Sequence, residues 1–151
     1  MNFQYKGTIG GVSPETAVFD VAAGTAGSIL QGDLVNLANG YAVLVANGGG
    51  VSTGTKLFGL AKTTSTETAG VAGTVEVTYC PSGLIVEGTA TTPANLSAAT
   101  LFDKVTIDLS GTTMTVDEDD TTNGAILIYK YPESDYATTG LIQVVVPFDL
   151  V

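Results

Sequence analysis

Two stretches of the chain follow nearly the same pattern 70 positions apart: "LQGDLVNLANGY" (Leu30–Tyr41) and "LFDKVTIDLSG" (Leu101–Gly111), with Asp33 matching Asp103. Two further blocks recur in the same order. Gly59 of "LFGLAK" matches Gly124 of "NGAILIYK" at an offset of 65, and Val75, Val77 and Tyr79 match Ile142, Val144 and Val146 at an offset of 67. Glu76 then stands where Gln143 stands, on the outward side. The phase of the apolar positions is retained throughout. Because side chains alternate faces along a strand, a slip of one residue would turn each apolar face to solvent, so retained phase constrains the fold more than similar composition does. Two copies are too few for a solenoid. Two one-sided sheets covering each other are the direct solution. The expected fold is therefore all-β, an antiparallel sandwich or barrel built from two similar halves, with the repeat over about 26–88 and 97–147.

The strand pattern supports this. "TVEVTY" (Thr74–Tyr79) and "KVTIDL" (Lys104–Leu109) alternate apolar with polar residues, and further strands are expected at Thr16–Val21, Leu34–Leu37, Tyr41–Val45, Leu57–Ala61, Leu84–Glu87, Ala125–Tyr131 and Leu141–Pro147. Asn39-Gly40, Asn47-Gly48 and Asn123-Gly124 punctuate them. One short helix is expected near Pro93–Ala99, where Thr92 precedes Pro93 and small helix formers follow.

Residues 1–14 stand apart as an extended arm before a single β-domain over 15–151. Phe3 and Tyr5 share a face if this arm is extended, among Gly7, Gly10 and Gly11. One reading is a frayed or edge-docked terminus. The sharper reading is an arm that orders on a partner by adding a strand to its sheet, since its glycines lose much backbone freedom on ordering and it has no partner strand nearby in sequence.

Charge narrows the partners. Fifteen acids against five lysines, with no His or Arg, give a net charge of −10, which repels phosphate backbones and anionic membrane surfaces. Only 13% of residues are charged, so Thr, Ser, Gly, Asn and Ala must cover the surface, as suits a protein largely covered by a neighbour. Cys80 is the single cysteine, so no internal disulfide is possible. No signal peptide is expected from the N-terminal pattern, and no apolar run approaches the ~20 residues that cross a bilayer.

Candidate chemical motifs fail on spacing. In "GGVSTGTK" (Gly49–Lys56), Thr55 separates Gly54 from Lys56, and a strand follows where a phosphate loop needs a helix. "DEDD" (Asp117–Asp120) reads as a solvated hairpin tip, because the positions at which an EF-hand needs Gly and Glu hold Thr122 and Ile128. In "DLSGTT" (Asp108–Thr113), Leu109 separates the Asp from Ser-Gly. Cys80 in "CPSG" has no imidazole to activate it, and Asn95-Leu96-Ser97 is a glycosylation sequon only in a secreted chain. No catalytic group, cofactor or metal is expected from these residues.

The order "GD-L-V-x-L" (Gly32–Leu37), "LFGLAKTTSTETAGVAGTVEV" (Leu57–Val77), a short helix at Pro93, "FDKVTIDL" and "NGAILIYKY…GLIQVVVP" resembles the capsid decoration (cement) proteins of tailed bacteriophages, and more distantly the lambda head decoration protein. The likeness runs from Ala26 to Pro147. It implies a β-rich fold (sandwich, barrel or tulip) without catalytic residues, bound to the outside of the assembled capsid in the host cytoplasm. The implied partners are the major capsid protein and further copies of the chain, as a trimer or a dimer. In the lambda type a flexible N-terminal arm adds a strand to the capsid protein. The matching segment here carries Asn2, Phe3, Gln4, Tyr5, Lys6, Ile9 and Val12 as the expected capsid contacts. The chain lacks Trp and Arg, so no contact built on either can be carried over. The rival class is a fibre or adhesin module recognising a surface glycan or protein. Sugar platforms favour aromatics, which make up 7% of this chain.

Overall fold

The computed structural model describes residues 1–48, 56–122 and 124–147, with the backbone alone at 56–58. Eleven strands appear among them: β1 (Gln4–Thr8), β2 (Glu15–Val21), β3 (Leu34–Ala38), β4 (Tyr41–Leu44), β5 (Lys56–Ala61), β6 (Gly73–Tyr79), β7 (Leu84–Thr89), β8 (Lys104–Ser110), β9 (Thr113–Asp117), β10 (Ile126–Lys130) and β11 (Leu141–Val146). They form two antiparallel sheets, of order β2-β6-β5-β3-β4 and β1-β7-β11-β10-β8-β9. The architecture is sandwich-like, and neither sheet closes into a barrel.

The two orders coincide once β1 is set aside. β2 to β6 occupy the places that β7 to β11 occupy in the second sheet. Register makes the match residue by residue. Ala17↔Val77 and Val77↔Ala61 in the first sheet correspond to Val86↔Val144 and Val144↔Ile128 in the second. Leu34↔Leu60 likewise corresponds to Lys104↔Leu127. The offset of 70 at Asp33 and the offset of 67 at Val75–Tyr79 are therefore structural. The offset of 65 is not: Gly59 pairs with Val35 as Ile126 pairs with Val105, so Gly59 aligns with Ile126 and not with Gly124. The duplicated unit begins at β2 and again at β7, which opens the second half where the sequence had set it at the end of the first.

Each half also curls over a core of its own. In the first, β2 contacts β4 across the sheet around Val21, Val35, Ala61, Val75 and Val77. In the second, Ala90 bridges Val116 in the corresponding place. Mutual cover is confined to the seam, where Leu34, Val45 and Leu60 of the first half join Val86, Ile107, Met114 and Ile142 in the larger core.

Helix is scarce, though not where expected. The 92–100 segment forms two 3-10 turns, Pro93–Asn95 and Ala98–Thr100, the second closed by a capping box between Ser97 and Thr100. Among the described residues the one α-helical turn is α1 (Tyr136–Thr139), ended by Gly140. No helix among the described residues is long and apolar enough to cross a membrane.

Candidate partner-binding surface

The seven residues expected to contact a partner divide sharply. Phe3 is fully buried in the larger core. Its ring lies over Gly88, where a Cβ would come within 2.4 Å of Phe3 Cε1, so the residue on β7 must be glycine for the ring to enter. Asn2 Nδ2 donates to Asp33 Oδ1 at 2.8 Å and to the Thr112 carbonyl at 2.9 Å, tying the first half to the β8–β9 hairpin of the second. Ile9 N–H donates to the Gly83 carbonyl at 3.0 Å, and the Ile9 carbonyl accepts from Ser82 Oγ at 2.9 Å.

Gln4, Tyr5 and Lys6 are exposed on β1, which pairs antiparallel with β7 from Gln4↔Glu87 to Thr8↔Leu84. Lys6 Nζ lies 3.4 Å from Glu87. Val12 is exposed. The segment is thus not a separate arm in this structure. It adds a strand to its own domain, the edge-docked alternative, and Asn2, Phe3 and Ile9 are committed to intramolecular contacts. The reason lies in Phe3: burying a ring contributes roughly 1.5–3 kcal/mol, which offsets the glycine entropy that favoured an unattached arm.

What β1 leaves accessible is a groove of about 320 Å³ between the N-terminal strand and the first sheet. Met1, Phe3 and Tyr5 line one side, Leu60 and Thr78 the floor, and Thr16 of β2 the other side. Met1 and Tyr5 are exposed large apolar residues, as is Val18, two positions beyond Thr16 on the same face of β2. Gly32 also lines the groove, at φ 91°, and a Cβ there would meet Met1 Cγ at 2.1 Å and the Phe3 carbonyl at 3.0 Å. Its counterpart in the second half is Phe102, also left-handed at φ 68° and 65% exposed. At that exposure its large side chain stands mostly clear of the other described residues.

The rejected motifs take structural roles. The Asp117–Asp120 tip is only partly solvated. Glu118 is buried and accepts from the Thr92 N–H at 3.2 Å and from Asn95 Nδ2 at 3.1 Å, while Asp120 accepts from Thr106 Oγ1 at 3.1 Å and the Thr122 N–H at 3.0 Å. Burial first, then a hydrogen bond to Asp119 and the repulsion of the neighbouring carboxylates, push Asp117 up to about 6. No group of three or more His, Cys, Asp or Glu among the described residues is arranged to hold a metal ion. Cys80 is buried, with Sγ 3.2 Å from Ser82 Oγ. Asp108 lies within β8, opposite Thr115 of β9, and accepts from Thr91 Oγ1 at 3.3 Å. Gly49–Lys56 lies outside the described residues, except for the backbone of Lys56.

Besides Glu118, sequence reasoning missed a second buried acid. Glu67 is 1% exposed and accepts from the Ser28 N–H at 2.7 Å and from the Ser28 hydroxyl. Burial raises its pKa, but the Ser28 and Ser65 hydroxyls and the Ser28 amide together outweigh that and hold it below the usual carboxylate value. Nothing in the periodicity singles it out.

Comparison of the chain with protein-family models, with curated proteins and with solved structures finds no match.

Proposed function

We propose that this is a non-enzymatic structural virion protein that binds the outer surface of a bacteriophage capsid and stabilises it, acting as a decoration or cement protein. The observation that carries the reading is the apolar groove bordered by Met1 and Tyr5 and flanked by a strand edge bearing Val18, set in a surface poor in charge. Exposed apolar side chains beside a groove are a feature that a partner can cover. The order of strand blocks that resembles decoration proteins supplies the partner, the major capsid protein. Repeated copies on a shell add avidity, so each contact can be modest. Self-association as a trimer, with a dimer as the alternative, belongs to the same reading.

Co-sedimentation with expanded capsids lacking the protein, with unexpanded shells as control, tests it. Saturable binding to the expanded shells is the expected result. Absence of binding to either form contradicts the reading, and light scattering on the isolated protein reports its self-association.

A further inference from the structure

The duplicated topology points to an unfilled strand position. In the second sheet β1 covers the outer edge of β7 along Leu84–Glu87. The corresponding edge of the first sheet is β2 along Glu15–Val18; among the described residues no further strand is hydrogen-bonded to it, although β4 approaches β2 where the sheet curls. We propose that this edge, with the groove beside it, accepts an extended segment of another protein as a sixth strand, antiparallel to β2, carrying apolar residues opposite Thr16 and Val18 and a Lys or Arg opposite Asp20.

Three observations favour β2. β2 pairs with β6 in unbroken register from Glu15↔Tyr79 to Val21↔Gly73, so its backbone is regular. β1, in contrast, is bulged between Tyr5 and Gly7 and carries Lys6, two features that blunt an edge against pairing. β2 has no lysine, and Val18 on it is 62% exposed.

The occupant's chemistry follows from which side chains share the face. Thr16, Val18 and Asp20 alternate onto one face of β2, with Glu76 of β6 directly beside Val18 and Thr78 beside Thr16. Thr16 and Thr78 line the groove, so the residue of an added strand opposite Thr16 reaches it. Asp20 gives the far end a negative charge, while Glu76 faces Lys62 of the groove lining across the β5–β6 ladder. The chain supplies its own precedent on the equivalent edge, where Lys6 of the added strand meets Glu87. A second copy is the poorer occupant, since it brings a net charge of −10 to an acidic edge. Main-chain hydrogen bonds would provide affinity and the groove selectivity.

The test is independent of any capsid. The capped heptapeptide Thr-Lys-Thr-Val-Thr-Phe-Thr places Lys, Val and Phe opposite Asp20, Val18 and Thr16. Titrated into the full-length protein, it should give saturable amide shifts at Glu15–Val18 by nuclear magnetic resonance. Val18→Lys and Thr16→Lys, both at exposed positions, should each weaken binding about ten-fold or more, as should a peptide with glutamate in place of lysine. Absence of saturable shifts up to about 1 mM peptide overturns the proposal. So do shifts confined to Leu84–Glu87, which would mean displacement of β1. Concentration-dependent shifts at Glu15–Val18 without peptide assign the edge to a second copy and also overturn it.

Discussion

The side-chain amide of Asn2 donates to the carboxylate of Asp33 at 2.8 Å, and its second bond, to the Thr112 carbonyl, crosses to the other half. Asp33 uses its other oxygen to accept from the Leu30 N–H at 2.9 Å, closing the turn that leads into β3. One buried carboxylate thus holds both the turn and the N-terminus.

Asn2→Ala should therefore destabilise the protein by about 1–3 kcal/mol, the cost of leaving Asp33 short of a donor in a desolvated place. A double-mutant cycle with Asp33→Ala, read by urea unfolding, should show clear coupling between the two positions. Additive effects would mean that the bond contributes nothing.

Phe3→Ala should lower stability by about 3–5 kcal/mol, as for other fully buried rings. Gly88→Ala should act on the same contact from the opposite side, by about 1–3 kcal/mol, because its Cβ would enter the Phe3 ring. Thermal melting measures both. An unchanged melt for Phe3→Ala would mean that the segment is not part of the core.

Those two residues also mark where the sequence was legible and where it was not. Nine strands and the two-half plan follow from period-two patterning, because Val75, Val77, Ile142 and Val144 are buried on one face. β9 was missed although Met114 and Val116 alternate inward, because its five residues fall between a Ser-Gly turn and an acidic run that dominated the reading. β1 was missed for a different reason. Its partner β7 lies some eighty residues away, and glycine content speaks only to the entropy of the free segment, not to the cavity over Gly88 that receives Phe3. The β2 edge became visible only when the two sheets were matched strand for strand.

The pair Gly32 and Phe102 gives opposite expectations at equivalent positions. Gly32→Ala should destabilise, since the left-handed backbone disfavours a side chain and Met1 and Phe3 occupy the space. Phe102→Gly should stabilise, because relief of the left-handed backbone outweighs the loss of a ring that is 65% exposed. Equilibrium unfolding of both variants checks this, and a shift in the same direction for both would contradict it.

Two acids should act on stability in opposite senses with pH. Glu67 titrates lower in the fold than when unfolded, so its contribution is present above the usual carboxylate value of 4.5 and is lost as pH falls through its folded value. Glu67→Gln should be destabilising at pH 7, and its deficit should shrink in acid. Asp117 is raised from 3.8 to about 6, so the folded state binds the extra proton and stability falls as pH rises between those values. Asp117→Asn should stabilise at pH 7, by about 1 kcal/mol after solvent screening, and have no effect below pH 3.8. Unfolding curves at pH 7 and pH 3.5 separate the two.

Hydrogen exchange on the intact protein tests most directly whether the N-terminal strand belongs to the fold and so leaves β2 as the open edge. The Phe3 N–H bonds to the Gly32 carbonyl at 2.9 Å and the Ile9 N–H to the Gly83 carbonyl at 3.0 Å, at either end of β1. Both amides should exchange about a thousandfold or more slower than in a free peptide, together with the amides of β7. Exchange of both at the free-peptide rate, while β7 stays protected, would show an unattached arm and contradict the account.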